Sequence, residues 1–143
     1  MLDCTNNIRD CYVSLLENNI TLNGKVVKVY GQMPYESTPD NYIIISTINE
    51  SADNNNQLFV TNATVDVDIF CEQYRKVDLS VADNIASQVL DLLLPTTGIY
   101  DVGDIYFQIF PLSRVSSRYL PLENGDVYIA RKILTINNSI IQK

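Results

Sequence analysis

Two aspartates in one short run are the residues of this chain whose type and spacing could carry out chemistry. Asp66 and Asp68 stand in the run VDVDIF, each directly after a valine. Carboxylates at this spacing can bind a divalent cation such as Mg²⁺, and one of them can attack a phosphate ester as a nucleophile. The first hypothesis is therefore a metal-dependent hydrolase that uses Asp66 and Asp68.

The context of the two aspartates argues against that hypothesis. The run resembles the aspartate motif of haloacid-dehalogenase-type hydrolases, which place their acids at the mouth of a parallel sheet and add a Lys and further acids downstream. Here apolar residues alternate with the aspartates, so both are expected on the outer face of a half-buried strand. The later acids Asp101 and Asp104 have no supporting pattern. Two exposed aspartates are the favoured interpretation.

The rest of the sequence offers no other catalytic set. It contains no His, which removes the commonest neutral-pH base and the commonest metal ligand. Its five glycines are dispersed and form no phosphate-binding loop. A Ser or Cys nucleophile would lack a His partner. We expect no enzymatic activity, no catalytic residue, no cofactor and no metal site.

The aspartates lie in a strand–helix unit that spans residues 57–95. Its first half alternates polar and apolar residues, which predicts a strand with one buried face. The buried face of this strand consists of Val65, Val67, Ile69 and Cys71. Ser80 is placed to cap a helix, and Pro95 ends it because proline has no amide hydrogen to donate. The stripe of Ile85, Val89 and Leu92/Leu93 is expected to pack on the buried face.

The remaining patterns predict one more helix and four more strands. The helix spans residues 4–18, and the strands lie at residues 25–30, 42–48, 104–112 and 126–136, with a polar tail after them. Residues 113–122 are interpreted as an edge strand or an arm, and residues 123–126 as a hairpin turn. The order α-β-β-β-α-β-β predicts an α+β fold: a mainly antiparallel sheet of about five strands packed against two helices.

The charge of the chain is acidic and uneven. The net charge is −7, and residues 1–72 hold ten acidic and three basic side chains, which accounts for all of it. Residues 73–143 hold seven of each. This balance argues against a nucleic-acid-binding surface, which needs a basic patch. It is interpreted either as a bias that favours solubility or as a surface that repels DNA or meets a basic partner.

The cysteines and the apolar runs bear on where the chain is made. Cys4, Cys11 and Cys71 form no C-x-x-C pair, and three reduced thiols are typical of a protein made in the cytoplasm. No apolar run reaches membrane-spanning length, and the first residues do not form a signal peptide. We therefore expect no membrane partner.

Two stretches are the candidate partner contacts. The polar run at residues 50–56 predicts a flexible loop tip, and loops held by a rigid sheet are the usual place for adaptable contacts. The late basic residues are either a solvated hairpin face or a contact for an acidic neighbouring subunit. The candidate residues are Glu50, Asp53, Asn54, Asn55 and Asn56 in the loop, and Arg114, Arg118, Arg131 and Lys132 in the late hairpin.

The layout of these elements resembles that of the tail-completion, or head–tail joining, proteins of tailed bacteriophages, which include tail terminator-like neck proteins. In that family a strand similar to "v-t-v-d-v-w" precedes a helix similar to "a-x-x-i-a-x-x-v-x-x-l-L". Here TVDVDIF (residues 64–70) and ADNIASQVLDLLL (residues 82–94) match them. Residues 39–48, 105–110 and 127–136 match the other strands.

This resemblance implies a non-enzymatic structural virion protein with a single tail-completion-like domain over residues 1–143. Such a protein is made in the host cytoplasm and forms a homo-oligomeric ring in the neck, between the portal–adaptor complex and the tail. DNA passes through the ring without sequence-specific binding. Two alternatives stay open: a small cytosolic α+β ligand-binding or regulatory module, and the Asp-x-Asp hydrolase.

Overall fold

A six-stranded sheet carries two helices on one of its faces. The computed structural model describes residues 3–34, 37–52, 60–74, 78–95 and 101–143. In chain order the elements are α1 (Thr5–Leu16), β1 (Thr21–Leu22), β2 (Lys25–Val26), β3 (Lys28–Tyr30), β4 (Asn41–Ala52), β5 (Val60–Tyr74), α2 (Ser80–Leu93), β6 (Phe107–Tyr119), β7 (Leu122–Asn124) and β8 (Val127–Gln142). The predicted α+β class, with two helices and a mainly antiparallel sheet, is confirmed.

The strands of the sheet follow the order β3-β4-β5-β8-β6, and β7 also pairs with β8. Only β3 and β4 run parallel; all other neighbours are antiparallel. The last strand of the chain is therefore inserted between β5 and β6. It pairs with the whole length of β5, from Val60 opposite Ile141 to Tyr74 opposite Val127.

The core lies between the sheet and the two helices. The helix face of the sheet carries Val65, Val67 and Ile69, which are fully buried against Ile85 and Val89 of α2, as predicted. The opposite face of the sheet is called the open face below. Within the described residues, neither helix is long and apolar enough to cross a membrane.

Each helix buries one apolar stripe. In α2, Leu93 is fully buried and Leu92 only partly, because Leu93 continues the turn set by Ala86 and Val89. In α1, the buried residues are Ile8, Tyr12 and Leu16. These helices therefore bury residues at three- and four-residue spacing.

An aspartate precedes the first turn of both helices. Asp3 Oδ1 accepts a hydrogen bond from the Thr5 amide at 2.9 Å, and Asp78 Oδ1 accepts one from the Ser80 amide at 3.0 Å. The prediction of Ser80 as the capping residue is wrong, because Ser80 is already helical and its hydroxyl donates to Asp78. The bond from the Thr5 amide lowers the pKa of Asp3. A carboxylate here also faces the positive end of the helix dipole.

The predicted number and order of strands are wrong in the segment of residues 20–30. Asn23 and Gly24 have φ angles of 52° and 79°, a left-handed conformation that folds β2 back onto β1 as a separate hairpin. Lys28–Tyr30 then forms β3, which joins the large sheet parallel to β4. The strand predicted at residues 25–30 is thus two strands, β2 and β3, with β1 before them. With β7 added, the described residues form eight strands instead of about five.

The polar tail predicted after residue 136 is part of β8. Asn138 is completely buried among apolar residues of the helix face. Its side-chain oxygen accepts a hydrogen bond from the Tyr12 hydroxyl at 2.5 Å, and its amide donates to the carbonyl oxygens of Ala63 and Ile136. A satisfied buried amide can continue a strand that its polarity alone would end.

Three predicted boundaries also move. Residues 50–52 belong to β4, so the loop tip does not begin at Glu50; Asp53, Asn54, Asn55 and Asn56 lie outside the described residues. β6 begins at Phe107 because Asp104 Oδ1 holds the Tyr106 and Phe107 amides in a turn. The strand predicted to end at residue 112 and the arm after it form this one strand.

Replacing Val89 with Asp should lower the free energy of unfolding by at least about 3 kcal/mol, because it buries an unpaired charge against β5. Ser87→Asp, on the exposed side of the same helix, is the matched control and should change stability by less than about 0.5 kcal/mol. Urea denaturation followed by circular dichroism measures both. Equal stability of the two variants would contradict the assigned helix face.

Candidate interaction surface

Asp68 forms an ion pair with Arg131 on the open face. Arg131 Nε and Nη2 donate to the two carboxylate oxygens at 2.9 Å and 2.6 Å, a two-pronged contact. The side chain of Asp68 is 2% exposed and that of Arg131 is 29% exposed. The prediction that Asp68 is exposed is therefore wrong. The hydrogen bonds to Asp68 raise the pKa of Arg131.

Aromatic rings cover the ion pair and extend it across four strands. Arg131 Cζ lies 5.2 Å from the centre of the Phe70 ring. The Phe70 and Tyr42 rings stack with their centres 4.8 Å apart, and Tyr30 meets Tyr42 edge-on at 6.1 Å. This ladder runs from β8 through β5 and β4 to β3. It shields Asp68 from water because Phe70 and Ile44, on the same face, are also buried.

Asp66 is occupied as well. Its carboxylate accepts a hydrogen bond from the Thr135 hydroxyl at 2.6 Å, across the same pair of strands that brings Asp68 to Arg131. Within the described residues no group of three or more His, Cys, Asp or Glu side chains could hold a metal. The two aspartates thus serve as cross-strand partners of β8.

Lys132 forms the corresponding contact on the helix face. Its ammonium group donates to Asp83 in the first turn of α2 at 2.6 Å and lies 4.8 Å from the centre of the Tyr119 ring. The Tyr119 hydroxyl also donates to Asp83. The hydrogen bonds from Lys132 and Tyr119 lower the pKa of Asp83. These contacts tie the start of α2 to β8 and β6.

Of the four late basic residues, two form an ion pair with an aspartate and two do not. Arg131 and Lys132 are neutralised by Asp68 and Asp83. Arg114 and Arg118 are exposed and have no carboxylate within 4 Å among the described residues. Of these four residues, Arg114 and Arg118 are the two that present an unpaired charge to a partner.

Arg114 and Arg118 belong to an exposed edge of the sheet. The segment at residues 101–104 covers the start of β6, since the Val102 and Asp104 amides donate to the Ile109 and Phe107 carbonyls at 2.9 Å. No strand of the described chain pairs with the outer side of residues 110–119, called the β6 edge. Exposed apolar side chains on and just after this edge are Leu112, Val115, Tyr119, Leu120 and Leu122.

Glu50 lies at the opposite edge. β3 pairs only with Tyr42–Ile44 of β4, so residues 46–52 have a strand on one side only within the described chain. These residues are called the β4 edge. Glu50 is exposed there and accepts hydrogen bonds from the Thr5 hydroxyl at 2.8 Å and from Cys4 Sγ at 3.1 Å. The structure thus places Glu50 and the free arginines at opposite ends of one sheet.

Exposed acids follow the outer side of α1. Asp10 lies within α1, Asp3 just before it and Glu17 just after it, and all three are exposed. Asp104 lies beside this row, where Asn7 donates to its carboxylate at 2.6 Å. Burial acts to raise the pKa of Asp104, but hydrogen bonds from Asn7 and two backbone amides lower it. The row therefore presents negative charge away from the sheet.

The three cysteines are unsuited to nucleophilic chemistry. All are free thiols, and burial raises the pKa of Cys4 and Cys71 to about 12 and that of Cys11 to about 11. The thiolate is the reactive form, so little of it is present near neutral pH.

A cleft of about 480 Å³ opens beside the ion pair. Apolar side chains such as Met33 and Ile44 line it together with Arg9 and Arg131. Both arginines already donate to side chains of the chain itself, Arg131 to Asp68 and Arg9 to Asn6. The alternative of a small-ligand-binding module gains no support from this cleft.

Comparison with known proteins shows a similarity of fold. No family model and no curated protein match the sequence. Thirteen chains of solved structures match. One of them is a chain in the virion of a native gene transfer agent (GTA) particle: it superimposes with a TM-score of 0.62 at 12% sequence identity, over 97% of this chain and 94% of that chain. Both chains are covered almost completely, so the fold is similar over its whole extent.

Loss of Arg131 should destabilise the fold more than loss of Asp68, its partner in the ion pair on the open face. Arg131→Met leaves the buried Asp68 carboxylate without a partner and should lower the free energy of unfolding by about 3 kcal/mol. Asp68→Asn should lower it by about 1–2 kcal/mol, because the partly exposed Arg131 can turn to water.

The double variant Asp68→Leu/Arg131→Met should recover most of the loss, since an apolar pair of similar volume avoids the desolvation of two charges. Chemical denaturation of the three variants and the unaltered chain forms a double-mutant cycle. Two single variants that each match the unaltered chain would show that the pair does not hold the structure.

Proposed function

We propose that this chain is a structural protein of a phage-like virion and forms a ring at the junction between head and tail. The observation that carries the proposal is the similarity of its whole fold to that of a chain in the GTA virion. In this role its partners are copies of itself, the portal–adaptor complex and the tail. The ring docks the tail and lets DNA pass.

The surface charges support this role. A ring around DNA needs an inner wall that does not bind phosphates, because each basic contact adds electrostatic affinity. The exposed acids along α1, Asp3, Asp10 and Glu17, provide such a wall if the helices face the passage. Arg114 and Arg118 lie on the β6 edge and not on the helices.

The chemistry of the two aspartates gives the hydrolase alternative little support. A metal-dependent hydrolase needs carboxylates that are free to bind the cation, and Asp68 is held by Arg131 while Asp66 accepts from Thr135. Assembly, rather than turnover of a substrate, is the function that these contacts suit.

Particles purified from producing cells test the location. We expect mass spectrometry to find the chain in them, and an antibody against it to label the neck in electron micrographs. Cells without the chain should accumulate DNA-filled heads and separate tails. Absence of the chain from purified particles, or labelling of the head lattice or the tail tip, would refute the proposed function.

The inner wall has a separate test. Asp10→Lys/Glu17→Lys places basic side chains along α1, and we expect normal numbers of complete particles with reduced DNA delivery, because the new cations bind phosphates in transit. Glu123→Lys/Asp126→Lys, at two exposed acids of the hairpin between β7 and β8, is the matched control and should deliver DNA normally. Equal delivery by both variants would show that α1 does not line the passage.

A further inference from the structure

We propose that a second copy of this chain docks its β6 edge alongside the β4 edge of the first, with Arg114 of one copy beside Glu50 of the other. The inference names the subunit contact of the ring and so rests on the proposed function. Four observations support it: the positions of the two edges along the strands, the direction of the strands, the face on which the charged residues lie, and the opposite sign of their charges.

The two edges lie at the same level of the sheet. Ile48 of β4 is opposite Val65, Val65 is opposite Ile136, and Ile136 is opposite Arg114 of β6. By the same path Glu50 is level with Pro111. Residues 48–51 of the β4 edge are therefore level with residues 110–114 of the β6 edge. A neighbour placed sideways in the plane of the sheet brings the two edges together without a shift along the strands.

The direction of the strands also matches. Three successive antiparallel pairings separate β4 from β6, so β6 runs opposite to β4. A neighbour in the same orientation therefore continues the antiparallel pattern across the contact. Because the contact joins two different surfaces, it repeats from copy to copy and closes into a ring when the rotation allows.

Glu50 and Arg114 lie on the same face at this contact. Glu50 is opposite Ala63, and Arg114 is level with Val65, and both of these β5 residues are on the helix face. The two charged residues are offset by two positions along the strands. Diagonal neighbours of this kind are about 7–8 Å apart, which a long arginine side chain spans. The charges are opposite, and both side chains are exposed.

Both edges are irregular, which disfavours pairing with an arbitrary strand and favours a specific partner. β6 has register shifts between Pro111 and Ser113 and between Arg114 and Ser116, and β4 has one between Ile45 and Ile48. Bulges and proline hinder the addition of an arbitrary strand. The residues inside the two β6 shifts are Leu112 and Val115, which are 42% and 60% exposed. Bulges re-aim side chains, so these two supply apolar contact area to the neighbour.

A charge reversal tests the pairing. Arg114→Glu and Glu50→Arg should each weaken self-association on the order of tenfold, because like charges then face each other, and the double variant should restore it. Arg118→Glu is the matched control: it has the same charge change on the same strand but lies on the open face, level with Ile44, which β3 already covers. Light scattering over a concentration series measures each variant, with circular dichroism to confirm folding.

A cross-link tests the register without altering Glu50. Asn49 and Ser113 are level with each other, on the open face, so Asn49→Cys/Ser113→Cys should form disulfide-linked ladders on a non-reducing gel. Asn49→Cys/Ser117→Cys, whose positions are three residues apart in level and on opposite faces, should not. Both pairs are examined in the full-length chain and in purified particles. The native thiols interfere little because burial raises the pKa of Cys4 and Cys71 to about 12 and that of Cys11 to about 11.

The outcomes separate this contact from the proposed function. Restoration by the double charge reversal, together with the 49–113 ladder, supports the contact. A double variant as weak as the single ones, single variants that associate normally, or ladders absent from solution and from particles would overturn it. A chain found at the neck without these ladders would refute the contact alone. Ladders formed by a chain that is absent from particles would refute the proposed function alone.

Discussion

The pairing of β5 with β8 is the constraint on which the rest of the structure depends. All 15 residues of β5 have a partner in β8, and both strands have a buried helix face. A shift by one residue would turn every apolar side chain to the other face, so the register is strongly specified. That register brings Asp68 to Arg131 and Asp66 to Thr135. It also leaves β4 and β6 as the places where the sheet can meet other molecules.

The open face has a small core of its own. A carboxylate as buried as that of Asp68 is stable only when a charged partner replaces its water. Arg131 does so, and its guanidinium also covers Phe70, which stacks on Tyr42. The carboxylates of the Asp-x-Asp motif are thereby engaged in contacts within the fold. A motif defined by spacing along the chain acquires its role from the residues across the sheet.

The two free edges give the molecule a polarity that suits repeated assembly. One edge carries Glu50, the other carries Arg114 and Arg118, and α1 presents a row of acids to one side. Neither edge is a plain strand, because shifts in register interrupt both. A sheet that extends from copy to copy would place the helices of every copy on the same side of the wall. The acids of α1 would then form one continuous surface.

The sequence by itself determined the elements whose period is strong. Both helices, the helix face of β5 and its contact with Ile85 and Val89 follow from apolar spacing, because burial of such a stripe dominates local preferences.

The tertiary structure alone decided the features that depend on distant residues. Asn138 continues β8 because the Tyr12 hydroxyl, 126 positions away, donates a hydrogen bond to its side-chain oxygen. Asp68 is buried because Arg131 donates hydrogen bonds to its carboxylate. The register of β5 and β8 places Arg131 opposite Phe70, the next residue on the same face of β5. Arg114 and Arg118 stay free while Arg131 and Lys132 are neutralised. Charge and polarity along the chain predict exposure only until a cross-strand partner replaces water, and such partners are set by the register of the whole sheet.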